Sequence, residues 1–268
     1  GAVDYEEKKR QRFRVATVSQ RQETDETTYR VEARRSMSEN ITGAIAYIHS
    51  DRGGSPFLTT VVNSGATGSN LIAPIHLADR TRDKLRVSAS WQATEQLSLQ
   101  FRVDESRDSY GQRAGSILGP QKGVASAYSV DSAFAFNDQW QATAWLSRDD
   151  TRFDQLQRTT PWEAKLRNIS NSYGAGVRGK PYSWLETGAD FSYSHISDEN
   201  RQQALSGAAA SVVPDFATKL TKLNLFAKYA MKKDTALRLN YIFDRFETND
   251  WTWSNWTYSD GTRVLQSP

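Results

Sequence analysis

Apolar and polar residues alternate with a period of two along most of the chain, and that pattern limits the fold more than any other feature. From Leu85 one set reads Leu85, Val87, Ala89 and Trp91, and the interleaved set reads Arg86, Ser88, Ser90 and Gln92. After Ala93-Thr94-Glu95-Gln96 the alternation resumes, with Leu97, Leu99, Phe101 and Val103 against Ser98, Gln100, Arg102 and Asp104. Successive side chains of a strand point to opposite faces, so each segment has one apolar and one polar face, and the two form a hairpin. The unit recurs around Ser38-Glu39-Asn40, Asn137-Asp138-Gln139, Lys180-Pro181-Tyr182-Ser183 and Lys232-Lys233-Asp234-Thr235. The spacing predicts antiparallel strands near 12–19, 28–37, 41–51, 84–93, 96–105, 125–136, 139–149, 169–179, 184–197, 219–231 and 235–247. These eleven segments run to roughly 8–13 residues, close to the length that crosses a bilayer at a tilt. Helix content should be almost nil.

The connections alternate as well. One set is short; the other is long and polar, covering Asp51–Asp83, Ser106–Gly123, Asp149–Asn168, Ser197–Thr218 and the segment after Glu247. Short turns at one end and long loops at the other are the plan of an outer-membrane barrel, with turns periplasmic and loops extracellular. A soluble sandwich turns at both ends, roughly every 8–12 residues. Composition narrows the choice. A mean hydropathy of −0.67 excludes a bundle of transmembrane helices. The longest uncharged run, Gly53 to Ala78, carries Gly, Ser, Asn and two Pro and reads as a loop. The absence of cysteine excludes a disulfide scaffold, Cys-ligated metal, a thiol nucleophile and covalent haem attachment by this chain. A formal charge of +3 is far short of a nucleic-acid-binding footprint, so no nucleic acid is expected as a partner. The chain opens at Gly1 without an apolar signal segment, so any targeting peptide is expected to have been removed.

Which face meets which solvent decides between a soluble and a membrane barrel. One set collects Phe13, Val31, Ile45, Tyr47, Leu97, Phe101, Val130, Phe134, Leu185, Phe191, Leu225, Leu239 and Tyr241. The other holds Arg30, Glu32, Arg34, Arg86, Arg102, Asp104, Asp131, Arg178, Glu186, Asp190, Lys228, Arg238 and Asp244. In a membrane barrel the first set meets lipid and the second lines the lumen. Tyr29, Trp91, Phe136, Trp140, Tyr193, Tyr229 and Phe243 stand near strand ends and fit interfacial girdles. Arg35 and Arg148 sit on the apolar face near strand ends, where they can snorkel. Trp145 falls on the polar face and breaks the pattern. The reading is an all-β, antiparallel up-and-down transmembrane β-barrel in a bacterial outer membrane.

Certain stretches add a resemblance. Arg34-Arg35-Ser36 with Ile48-His49-Ser50-Asp51-Arg52 forms an early hairpin, and Leu77-Ala78-Asp79-Arg80-Thr81-Arg82-Asp83-Lys84 leads into a strand. Leu97-Ser98-Leu99-Gln100 with Asp108-Ser109-Tyr110-Gly111 follows. Most specific are Asn249-Asp250-Trp251-Thr252-Trp253 and Trp256-Thr257-Tyr258-Ser259-Asp260-Gly261-Thr262. Together they resemble the MtrB/PioB family, outer-membrane porins that ensheathe multihaem c-type cytochromes. Family members are longer, form larger barrels and end in an aromatic-rich strand, whereas this chain stops at Ser267-Pro268; some also carry a cysteine pair absent here. Residues 1–268 are therefore expected to be a C-terminal portion, a single barrel region that lacks its closing strand.

The resemblance implies electron transfer across the outer membrane with no chemistry by this chain, which is not expected to be an enzyme. A multihaem c-type cytochrome would thread the lumen, carrying all the haem, with outer-membrane lipid outside and an extracellular cytochrome at the long loops. The candidate lumen or partner-facing residues are Arg102, Asp104, Asp131, Gly174, Gly176, Arg178, Gly188, Asp190, Lys228 and Arg238. Ala44, Ala46, Ala133, Ala135, Gly174, Gly176 and Gly188 either let a protein plug lie close or merely bend the wall. No catalytic, cofactor or metal site is expected. His49, His76 and His195 lie in separate segments without a short-spaced partner, and Asp149-Asp150 and Asp198-Glu199 lack the ligand run of a calcium loop. Two alternatives stay open: a general diffusion porin or substrate channel, and a soluble all-β binding protein using Trp251, Trp253 and Trp256 as a stacking patch.

Overall fold

The computed structural model describes residues 1–11, 21, 23–56, 61–63, 66–68, 74–111, 118–157, 162–205, 214–232, 234–249, 257–259 and 264–266. Its strands are β1 (Ala2–Gln11), β2 (Glu23–Ser38), β3 (Ile41–Gly54), β4 (Val61–Asn63), β5 (Ala66–Gly68), β6 (Arg80–Gln92), β7 (Leu97–Tyr110) and β8 (Leu118–Asn137). They continue as β9 (Trp140–Gln157), β10 (Trp162–Tyr182), β11 (Leu185–Ala204), β12 (Phe216–Lys232), β13 (Thr235–Thr248), β14 (Thr257–Ser259) and β15 (Val264–Gln266). Eleven of these make one sheet in the order β1-β2-β3-β6-β7-β8-β9-β10-β11-β12-β13, every neighbouring pair antiparallel. β4 with β5 and β14 with β15 form separate two-stranded sheets. Among the described residues there is no helix, and β1 and β13 are free edges that do not pair with each other.

Local chemistry makes the tight turns. The Asn137 side-chain oxygen accepts from the N–H groups of Gln139 and Trp140, each at 2.9 Å, which closes the β8–β9 turn. Thr94 Oγ1 does the same for Gln96 and Leu97, at 3.2 and 3.0 Å, between β6 and β7.

Two expectations change. The strands from β2 to β13 in the large sheet run 13 to 21 residues rather than 8–13, so the polar loops are shorter than the sequence implied. Alternation continues past the apolar stretch in charged residues, and the ladder continues with it, for example Asp83 opposite Arg107 and Arg167 opposite Glu199. The first strand is Ala2–Gln11, its Val3 and Tyr5 opposite Val31 and Tyr29 of β2. The run Glu6-Glu7-Lys8-Lys9-Arg10 hides it. The strand expected at 12–19, Phe13 included, lies outside the described residues.

Burial is inverted relative to a soluble protein. Leu239 is 64% exposed and Tyr241 58%, while Asp104 is 7% and Asp108 8% exposed. Register joins the apolar positions into one face: Leu97, Phe134, Ala142, Val177, Ala189, Leu225 and Tyr241 are successive partners across seven strands. A sheet that exposes such a face on one side and inters carboxylates on the other is built for lipid outside. At the turn end that face carries a belt of rings. Phe134 meets Phe136 edge-on at 4.9 Å, Tyr182 stacks on Trp184 at 4.9 Å, and Trp184 meets Tyr229 at 5.3 Å.

Candidate lumen face

All ten predicted lumen residues fall on the face opposite the lipid-type one, and register brings them into adjacent rows. Asp131, Gly174 and Asp244 share a row through Trp145, Ser192 and Lys222. Gly176 and Asp190 are direct partners, as are Arg178 and Gly188, and Lys228 and Arg238.

On β6 and β7 this face is an ion ladder. Arg80, Arg82, Lys84 and Arg86 recur every second residue of β6 and face Asp104, Ser106 and Asp108 of β7. Asp104 is the hub: Arg86 donates to both its oxygens at 2.8 and 3.1 Å, Arg102 to one at 2.7 Å, and Lys84 Nζ lies 3.1 Å away. Arg82 forks onto Asp108 with both donors at 2.6 Å, and Arg80 donates to Glu26 at 2.9 Å. Such bidentate, part-buried pairs are the strong kind.

The ladder ends beneath a pinned loop. Arg52 donates to the carbonyls of Ala78 and Ile75 at 3.0 and 2.7 Å, and Arg21 to those of Leu77 and Gly54, each at 3.0 Å. Residues 74–79 therefore fold over the polar face at its loop end, with Leu77 and Ala78 buried. That part of the expected 51–83 loop is anchored.

On β9 to β13 the same face is filled differently. Trp145 lies over Gly174: a Cβ there would come within 2.6 Å of its indole nitrogen and 2.7 Å of the Phe191 carbonyl. The tryptophan that broke the alternation occupies the room its neighbour's missing side chain leaves. Phe226, which sequence reasoning did not place here, covers Gly188 in the same way. The guanidiniums of Arg238 and Arg178 sit 5.0 and 5.7 Å from its ring centroid, within cation–π range. Two of the three glycines are thus covered by rings of their own wall. Gly176 alone opens: its nearest neighbours are the tips of Asp190 and Thr143. A polar hollow of about 250 Å³ sits there, lined by Gln141, Thr143, Gly176, Arg178 and Asp190. A wider one of about 710 Å³ adjoins it at the turns, with Glu95, Asp138, Lys180 and Glu186. Asp131 makes no ion pair among the described residues.

Among the described residues no group of His, Asp and Glu is placed to hold a metal ion. His49 sits on the lipid-type face, on the loop side of Tyr47, between Asp83 at 2.8 Å and Asp51 at 2.9 Å. The Tyr47 hydroxyl also donates to Asp83.

Comparison with known proteins fits this geometry. The family described as "Putative outer membrane beta-barrel porin, MtrB/PioB" matches residues 1–265. The outer membrane protein MtrB of Shewanella baltica (strain OS185) is 22% identical over 236 residues, 86% of this chain and 33% of that protein. The chain thus spans about a third of the length of that relative. Among solved structures, the ferric enterobactin receptor PfeA of Pseudomonas aeruginosa superposes with a TM-score of 0.60 at 11% identity, over 91% of this chain and 39% of that one. The copper transporter OprC gives 0.58 at 10% identity, over 91% and 37%. These two share the fold alone. Family match, inverted burial and up-and-down topology agree: the chain belongs to the MtrB/PioB family of outer-membrane β-barrel porins.

Proposed function

We propose that this chain forms part of a barrel wall that ensheathes a multihaem c-type cytochrome and positions it for electron transfer across the outer membrane. The observation that carries the reading is how the polar face on β9–β12 is filled. Atoms of the Trp145 and Phe226 rings take the room above Gly174 and Gly188, and the floor at Gly176 stays open, so a folded protein can approach the backbone there. In this reading the chain is an insulator and a scaffold, not a catalyst. Haem belongs to the partner, because without cysteine this chain offers no thioether attachment.

The test compares haem retained per barrel by the full-length protein and its Gly176→Trp variant after purification with the partner. An indole at 176 enters the hollow by displacing the ends of Asp190 and Thr143 and leaves the ladder intact, so retained haem should fall while the folded barrel persists. Unchanged retention, or a wild-type complex that freely passes small solutes, would favour the plain porin.

A further inference from the structure

We infer that the polar face of β2 to β7 presents a positive surface, headed by Arg34 and Arg102, to an acidic face of the protein held in the lumen. The inference rests on the sheathing reading above and adds to it the chemistry of the contact.

Cations outnumber carboxylates on this arc. Arg52 of β3, Arg80, Arg82, Lys84 and Arg86 of β6 and Arg102 of β7 share Asp104, Asp108 and, across β3, Glu26. β2 adds Arg30 and Arg34 against Glu32. The flanks do not cancel the excess. On β1, Asp4 and Glu6 are matched by Lys8 and Arg10, and at the loop end Arg21 and Asp79 pair with each other. Among the described residues the one acid of β8 on this face is Asp131, opposite Gln100.

Height adds to number. Asp104 and Asp108 are buried among the guanidiniums, and the Glu32 side chain is 17% exposed, whereas those of Arg34 and Arg102 are 70% and 50% exposed. What this arc shows to the lumen is therefore positive. On β12 and β13 the signs stand level instead, with Lys222 53% and Asp244 52% exposed. Register sets the two exposed arginines in one row: Arg34, Ala44, Ser88 and Arg102 are successive partners, and Ser129 comes next. The floor between them is small and neutral. Three strand spacings separate the two arginines along the row, about 14 Å. That is too far for one small anion to bridge, so the pair suits a protein surface carrying several carboxylates. Complementarity of this kind orients a partner and selects it.

The experiment uses the full-length barrel purified with its haem-bearing partner and follows haem released per barrel as sodium chloride is raised. Salt near 1 M shortens the screening length to about 3 Å, so release from wild type should quicken with salt. An exposed cation in such a contact is worth up to about fivefold. Replacing both (Arg34→Gln with Arg102→Gln) should speed release at low salt by about threefold to tenfold and flatten the salt response. The ladder survives the change, since Glu32 keeps Arg30 and Asp104 keeps Arg86 and Lys84. Arg34→Lys with Arg102→Lys preserves the charge and should release haem at the wild-type rate. Arg201→Gln, on the lipid-type face, should change nothing. If the double glutamine variant does not fold, Arg34→Gln and Arg102→Gln singly should each give a smaller acceleration. With haem retained by wild type, the inference is overturned if the glutamine pair releases it like wild type at every salt concentration, or if the lysine pair releases it as fast as the glutamine pair. A wild-type barrel that retains no haem overturns the inference together with the sheathing reading, and anion-selective conductance of that barrel would assign the arc to small anions.

Discussion

The polar face solves one problem in two ways. On β6 and β7 the space above the sheet is filled by charged side chains that satisfy one another, with Asp104 shared among Arg86, Arg102 and Lys84. On β9 to β12 rings take the room that glycines leave, Trp145 at Gly174 and Phe226 at Gly188. The first region is a network of ion pairs. The second keeps an open polar floor at Gly176, with Arg178 and Arg238 over the Phe226 ring. A wall with both has an ion-paired arc under the anchored 74–79 loop and a more open arc beyond it.

The largest expected effect tests whether both regions lie on the inner side at all. Leu225→Arg places a charge on the apolar face in mid-strand, where an arginine at the bilayer midplane costs about 2–4 kcal/mol. Asn224→Arg enters the polar face opposite Asp190, which can pair with it. Membrane-assembled yield should collapse for the first and hold for the second. Equal yields would reverse the faces.

Next comes the ladder itself. Asp104→Ala strands three cations that shared one carboxylate. Removing one partner of a part-buried charge pair costs about 2–3 kcal/mol where the others retain some access to water, as half-exposed Arg102 does. The urea midpoint of the reconstituted barrel should drop accordingly. Asp131→Ala, on the same face without an ion pair, should move it little; similar losses for both would mean the ladder is ornamental.

The glycines then separate covered from open. At Gly174 an added methyl meets the Phe191 carbonyl, which cannot move without the strand, so Gly174→Ala should cost about 1–3 kcal/mol. At Gly176 the obstacles are side-chain tips that can rotate, and Gly176→Ala should stay within about 0.5 kcal/mol. The same urea series reads both. A tolerant Gly174 would show that neither the Phe191 carbonyl nor Trp145 stands that close to it.

Much of this was legible in the residues. The alternation from Leu85 to Asp104 and the turn at Asn137 gave strands, faces and hairpins, because a period of two and an Asx turn are local properties. The strand ends were missed because Arg80-Thr81-Arg82-Asp83 is polar on both faces, and only its pairing with β7 makes it a strand. A signal was present: cations every second residue from Arg80 to Arg86 complement Asp104 and Asp108 on the next segment. The pairing of Trp145 with Gly174 could not be read, since it depends on the register between β9 and β10. The tryptophan-rich stretch at 251–256 that carried much of the family resemblance lies outside the described residues.

The smallest effect separates the ladder from the cluster behind it. His49 bridges Asp83 and Asp51, at 2.8 and 2.9 Å, on the face opposite the ladder. These contacts tie the loop end of β3 to that of β6, and an exposed pair of this kind is worth about 0.2–1 kcal/mol. In His49→Gln, hydrogen exchange at the loop ends of β3 and β6 should therefore speed up by no more than about fivefold. The β6–β7 pairing at Arg82 and Asp108 should keep its wild-type rate. If the variant exchanges like wild type at the loop ends, the histidine cluster does not hold the rim and the ladder alone stiffens this arc of the wall.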